Sequence, residues 1–120
     1  MLCLDTYALV EIWKANPKFS AIFNQNFVIT DTTMAEFYIF LYKNENENIA
    51  IEWHNKLSPY CQYISRDILI KALKYTINNK KENLSVFDCI SYIYALENNI
   101  KFVTGDKFFE DKEGVLFIQK

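Results

Sequence analysis

Histidine is almost absent from this chain, and glycine, proline and cysteine are scarce: one His, two Gly, two Pro and three Cys in 120 residues. So few Gly and Pro leave little room for long irregular stretches. Cys3, Cys61 and Cys89 are odd in number, widely spaced and form no CxxC pair, so neither a disulfide framework nor a thiolate zinc site is expected. All three lie in apolar runs and read as reduced thiols of a cytoplasmic protein. His54 is the sole imidazole, follows Trp53 in a helical stretch, and reads as a surface or packing residue, which leaves a catalytic Cys–His pair without a partner. The first ten residues carry Asp5 and no basic cluster, so the expectation is a chain without a secretory signal. No apolar run approaches the ~20 residues of a membrane span.

Charge of either sign is not in excess: the formal net charge is −2. A basic footprint would favour nucleic acid. Setting aside the four carboxylates discussed below removes the acidic excess, so charge neither supports nor excludes such a ligand. What the chain does have is apolar residues, 51% of the total, enough for a core without disulfide or metal staples. Residues 1–120 fit one domain.

Leu2-Cys3-Leu4 is a short apolar run followed at once by Asp5-Thr6, the pattern of a buried strand ending in a polar turn. Helical spacing covers 6–15, closed by Asn16-Pro17, and a second short helix is expected over 17–24. A strand follows at 27–30, then a helix at 32–43 that is apolar around nearly its whole circumference. A polar break at 44–48 precedes a helix at 49–57. A strand at 61–64, an amphipathic helix at 66–78, a solvated loop at 78–83 and a helix at 85–97 come next, with strands at 101–104 and 115–118 closing the chain. Alternating strands and helices predict an α/β fold: a three-layer α/β/α sandwich around a central parallel sheet of four to five strands. In such folds ligands bind beyond the carboxyl ends of the strands.

Four acidic residues fall on that rim. Asp5 follows the first strand, Glu36 is expected in the first turn of the helix after the second, Asp88 is in the first turn of the helix starting near Ser85, and Asp106 follows Thr104-Gly105. Each has a plain explanation alone. Thr33…Glu36 matches a capping box, and Ser85…Asp88 does so loosely; Asp5 is a natural N-cap; Gly105-Asp106 is ordinary turn chemistry. Together those explanations weaken, because four carboxylates on one rim repel, by several kcal/mol per close pair in a medium of intermediate dielectric. A divalent cation would neutralise them. Oxygen ligands without His or Cys select hard ions, Mg²⁺ or Mn²⁺, and such a cluster suits phosphodiester hydrolysis. Thr6 and Thr104 are placed to support a carboxylate or a water. Asp111 is a further acid nearby and reads as a solvated loop residue.

The arrangement resembles the PIN-domain family, and within it the VapC-type toxins. The resemblance is carried by Leu2-Cys3-Leu4-Asp5-Thr6, by Val28-Ile29-Thr30 with Met34-Ala35-Glu36-Phe37-Tyr38, and most specifically by Phe87-Asp88-Cys89-Ile90 through Ala95 followed by Val103-Thr104-Gly105-Asp106-Lys107-Phe108-Phe109. It implies that Asp5, Glu36, Asp88 and Asp106 are the catalytic, metal-holding acids of an active Mg²⁺- or Mn²⁺-dependent endoribonuclease, the toxin of a type II toxin–antitoxin pair, with an RNA substrate, a small antitoxin partner and a homodimeric state. The chain departs from the family at Ser91-Tyr92 and Tyr94, where a small Ala-Ala pair is common after the third acid. A second departure is Tyr42-Lys43, where Gly-Arg is often found. The first alters helix packing; the second bears on substrate or antitoxin contacts.

Two other readings fit the same residues. One keeps the fold and metals but acts on other RNA or on DNA, without a toxin role. The other is a non-catalytic binding module whose acids are caps. Most aromatics sit at core periodicity, with Trp13 and Phe108 the two placed to line a groove. Lys14, Lys43, Lys71, Lys74, Lys80 and Lys81 are available to phosphates, although scattered lysines are the usual solvated surface. The helix at 32–43 has more apolar surface than one sheet face can cover. Phe37, Tyr38, Phe40, Leu41 and Tyr42 are therefore expected to meet either a two-fold partner or the helix at 49–57.

Overall fold

In the computed structural model, which describes residues 1–119, each apolar run becomes a strand and each 3.6-period segment a helix. The strands are β1 (Leu2–Leu4), β2 (Phe27–Thr30), β3 (Cys61–Gln62), β4 (Lys101–Thr104) and β5 (Val115–Phe117). All neighbours pair in parallel, in the order β3-β2-β1-β4-β5, with Leu2 beside both Phe27 and Lys101 and Val103 beside both Leu4 and Leu116. Alternation along the strands divides the core in two. Leu2, Leu4 and Val103 face one layer; Cys3 and Phe102 face the other.

The helices are α1 (Thr6–Trp13), α2 (Pro17–Ser20), α3 (Asp31–Asn44), α4 (Glu47–Leu57), α5 (Arg66–Asn78) and α6 (Val86–Glu97). α1 to α4 cover the first face, where Phe19, Phe37, Leu41 and Leu57 are fully buried. α5 and α6 cover the second, packing Tyr92 on Phe102 and Phe109 at ring separations of 5.7 and 5.1 Å. This is the predicted three-layer sandwich with five strands. Among the described residues no helix is long and apolar enough to cross a membrane, and the three Cys are unpaired.

The boundaries shift where caps decide them. α1 stops at Trp13, short of residue 15, because Ala15 takes a left-handed conformation, φ 60°. Residues 17–24 split into α2 and a 3₁₀ turn at Ala21–Asn24. Asn46 caps α4, its Oδ1 accepting the Ile49 N–H at 2.9 Å, so the helix begins inside the segment read as a break. β3 ends at Gln62 instead of continuing to 64: it is an edge strand, and Tyr63 points into solvent at 90% exposure.

The apolar excess of α3 is largely taken up within the chain. Phe37 meets Trp53 of α4 edge-on at 5.9 Å, and Phe40 meets Trp13 of α1 at 5.5 Å. Phe37 and Leu41 are thus core residues, not surplus surface, and Trp13 is a packing residue. The apolar residues that α3 leaves exposed are Ala35, Ile39 and Tyr42, one narrow stripe.

Parallel pairing puts all five strand ends with their carboxyl termini on one edge. The chain steps from β1 outward to β2 and β3, then returns on the other side of β1 to form β4. The order therefore reverses between β1 and β4, which opens a crevice at their ends.

Candidate metal centre

Asp5 and Asp106 flank that crevice, one after each strand. The Asp5 N–H extends the sheet by donating to Val103 O at 3.2 Å, and its extended backbone (φ −90°, ψ 177°) turns the chain into α1. Oδ1 caps the helix, accepting the Ala8 N–H at 2.8 Å. The capping reading is therefore correct for one oxygen. The other, Oδ2, is buried with no well-formed hydrogen bond, in a residue 1% exposed. Asp106 repeats the arrangement: Oδ1 caps the 3₁₀ turn Lys107–Phe109 through the Phe108 N–H at 3.0 Å, and its own N–H donates to Thr104 Oγ1 at 3.1 Å.

Glu36 is not part of a capping box. α3 begins at Asp31, and its N-cap is Thr30, whose Oγ1 accepts the Thr33 N–H at 3.2 Å. Glu36 consequently lies in the second turn, and its Oε1 accepts a hydrogen bond from the Thr6 hydroxyl, which ties α3 to the start of α1. Asp88 lies in the first turn of α6, where Ser85 caps through the Phe87 N–H at 3.2 Å.

The four acids act on one another. Burial raises the Asp5 carboxyl well above the ordinary carboxylate range, and Asp88 and Glu36 raise it further; the Thr104 hydroxyl and the Ala8 N–H draw it partly back. Burial, then Glu36 and Asp106, push Asp88 up to about 7. Asp111, by contrast, is exposed in the following loop. As the side chains stand, no three carboxylate, thiol or imidazole groups among the described residues converge on one point closely enough to chelate an ion. The capping and Thr6 bonds hold Asp5, Asp106 and Glu36 individually, and like charge opposes closer approach. A cation fits this set on two grounds: the donors are all hard oxygens, and Asp5 Oδ2 is a buried polar oxygen without a well-formed hydrogen bond, which is costly.

Gly105 has a steric reason to be glycine. A Cβ there would lie 2.1 Å from Tyr7 Cε1, inside the ring that closes over the loop between Thr104 and Asp106. Sequence reasoning passed over this contact, and also over a buried hydroxyl cluster of Thr30, Thr33 and Ser91. The one available signal for the cluster was Ser91, a polar residue amid the apolar face of its helix. Tyr92, its neighbour, places its ring in the second core layer and donates its hydroxyl to Glu113 O at 3.0 Å. Phe108, half-buried against Tyr75 and Phe109, is likewise a packing residue. A hollow of about 710 Å³ between α3 and α4, lined by Met34, Tyr38, Ile51 and His54 among others, lies apart from this rim: none of the four acids borders it.

In this parallel α/β sandwich Asp5 and Asp106 border the switch point, and Glu36 and Asp88 lie near enough to act on Asp5. The family follows: the PIN domain matches residues 2–115, and the chain belongs to that family. Its fold is similar to that of a toxin–antitoxin complex from Klebsiella pneumoniae, at 20% identity over 100% of both chains and a TM-score of 0.81. It is similar also to Mycobacterium tuberculosis VapC20, a sarcin–ricin loop cleaving toxin, at 12% identity over 100% of this chain and 98% of that one, TM-score 0.81. VapBC-1 from nontypeable Haemophilus influenzae matches at 19% identity over 98% of this chain and 96% of that one, TM-score 0.74. Identities this low carry the fold alone. A comparison of the sequence with curated proteins finds no match.

Proposed function

We propose that the protein is a metal-dependent endoribonuclease and the toxin of a type II toxin–antitoxin pair, with Asp5, Glu36, Asp88 and Asp106 as its catalytic acids. The observation that carries this reading is the set of carboxylates at the β1/β4 crevice, where Asp88 and Glu36 act on Asp5, and Glu36 and Asp106 on Asp88, with one buried oxygen, Asp5 Oδ2, lacking a well-formed hydrogen bond. Membership of the PIN domain family and the likeness in fold to toxin–antitoxin structures support it.

Asp5 would hold the cation through Oδ2, since Oδ1 is committed to α1. Glu36, Asp88 and Asp106 complete an all-oxygen set suited to Mg²⁺ or Mn²⁺. A divalent cation held there would supply Lewis acidity for phosphodiester hydrolysis. The protein's own part is to hold the acids in place. The Thr6 hydroxyl orients Glu36, and Thr104 fixes the Asp106 backbone while its hydroxyl eases the charge on Asp5. Protons held on Asp5 and Asp88 must leave before these groups can bind a cation, so binding strengthens as pH rises.

The partners are an RNA substrate, a small antitoxin reaching toward the acidic rim, and a second copy of the chain; the compartment is the cytoplasm. Pairing is supported by the exposed stripe Ala35, Ile39 and Tyr42, which continues through a shallow apolar hollow of about 220 Å³ to Phe87, itself 36% exposed. The test is cleavage of structured RNA and of DNA of matching sequence, each with Mn²⁺ and with chelator. RNA cut only with Mn²⁺ supports the reading. DNA cut in preference would replace the substrate, and no metal-dependent cutting of either would leave a binding module.

A further inference from the structure

We propose that Ser91 and Thr33 form a buried hydroxyl clamp that fixes the helix carrying Glu36 against the helix carrying Asp88, making them positioning residues for the cation site. The inference rests on the reading of that site given above. Thr33 stands three residues before Glu36 on α3, and Ser91 three residues after Asp88 on α6, so each is one turn from its acid on the same helical face. Thr33 Oγ1 and Ser91 Oγ are 2.8 Å apart in a hydrogen bond, and Thr30 Oγ1 lies 3.2 Å from the same Ser91 oxygen. Thr30 also donates to Thr33 Oγ1 at 3.1 Å. Thr30, Thr33 and Ser91 are all at most 1% exposed.

The cluster joins every element that delivers an acid on this side of the crevice. Thr30 ends β2 and caps α3. The Ser91 carbonyl accepts a long hydrogen bond from Cys3 Sγ, 3.8 Å, and Cys3 lies two residues before Asp5 on β1. A mesh of buried hydroxyls is an unusual way to pack two helices, because apolar contact would do the same at no desolvation cost. Its benefit is directional. Glu36 and Asp88 repel each other, and the packing of helix on sheet leaves small sliding motions open. A short hydrogen bond one turn below the acids resists that motion, where methyl contacts would slide.

The role of the clamp is separable from stability. In Ser91→Ala the Thr30–Thr33 bond survives, and the void is the size of one oxygen, so the fold is retained. Thr33→Val keeps side-chain shape and removes the hydroxyl, whereas Thr33→Ser keeps the hydroxyl and removes a methyl. Mn²⁺ affinity is measured by calorimetry for wild type, these three variants, the double variant Ser91→Ala/Thr33→Val, and Asp5→Asn, with melting temperature recorded for each. The expectation is roughly tenfold weaker Mn²⁺ binding in Ser91→Ala and in Thr33→Val, the scale of a lost supporting contact at a metal site. Thr33→Ser should bind like wild type, and the double variant should be no weaker than the weaker single, as for residues acting as one unit. RNA cleavage should lose kcat in the same variants with KM little changed. Should Ser91→Ala fail to fold, Thr33→Val against Thr33→Ser decides alone. Thr33→Val binding Mn²⁺ as tightly as Thr33→Ser overturns the clamp, as does an affinity loss that adds fully in the double variant. Asp5→Asn separates the two levels: if it binds Mn²⁺ like wild type, the site reading itself fails, whereas its loss of binding beside an unaffected Ser91→Ala removes only the clamp.

Discussion

Replacing Asp88 by Asn tests the electrostatics of the crevice by stability alone. An unfolded chain ionises an Asp near pH 3.9, whereas the native fold holds Asp88 protonated up to about 7. Below about pH 4 both states carry the proton and its full preference for the native state is present. Between pH 4 and 7 only the native state keeps it, so this contribution declines as pH rises and is gone above 7. Three pH units at 1.36 kcal/mol each give about 4 kcal/mol for the whole window. Asn does not ionise and resembles the protonated acid in shape and hydrogen bonding. Without metal, Asp88→Asn should therefore match wild type near pH 4.5 and exceed it by about 2–4 kcal/mol at pH 8.5. For a chain of this length that is a rise of roughly 8–16 °C in melting temperature. Saturating Mn²⁺ should narrow the difference at pH 8.5, because the cation stabilises the wild-type site by about 2.7 kcal/mol at a hundred times its Kd and has less to hold in the variant. Thermal melts across pH 4.5–8.5, with chelator and with Mn²⁺, provide the measurement. Parallel pH profiles for the two proteins would refute the argument that Asp88 is held in a repelling cluster.

Gly105→Ala should lower stability by about 1–3 kcal/mol, the cost of overpacking, as the new methyl drives the Tyr7 ring from its contact with Phe19; a melt within experimental error of wild type would place the ring elsewhere. Phe37→Ala should cost about 3–5 kcal/mol, since the ring is fully buried against Trp53; a loss below 1 kcal/mol in chemical denaturation would contradict its place in the core. Ile39→Glu, on the exposed stripe of α3, should shift a sedimenting dimer toward monomer at micromolar concentration and leave the melting temperature of the monomer unchanged. A dimer indifferent to Ile39→Glu would move the interface away from α3.

The alternation of strands and helices was readable because each strand is a short apolar run bounded by polar turns, and parallel strands buried on both faces need little more. The positions of Asp5 and Asp106 followed from that, since one stands directly after a strand and the other a single glycine beyond one. Glu36 was legible as a rim residue but not in its local role. Thr33 at the right spacing imitates a capping box, but Thr30 is the cap, and the packing of α3 against α1 brings Glu36 to Thr6. Helix ends were misjudged where one side chain or one left-handed residue decides them, as at Asn46 and Ala15. Which neighbour covers the surplus apolar face of α3 stayed open between a partner and the helix at 49–57, because periodicity does not tell which neighbour covers a face: Trp53 of that helix and Trp13 of α1 cover much of it. The Thr30–Thr33–Ser91 cluster joins residues about sixty positions apart, and no local pattern announces it.

The most direct measurement of the central claim is cleavage of structured RNA with Mn²⁺ by wild type, Asp5→Asn and Asp106→Asn, each checked for folding by its melt with chelator. Wild type should cut in a Mn²⁺-dependent way. Both variants should be inactive yet melt at or above the wild-type temperature without metal, because each removes an ionisable group from a repelling set and keeps its capping oxygen. Cleavage at the wild-type rate by either variant, or inactivity that comes with unfolding, would contradict the assignment of these carboxylates to a catalytic metal centre.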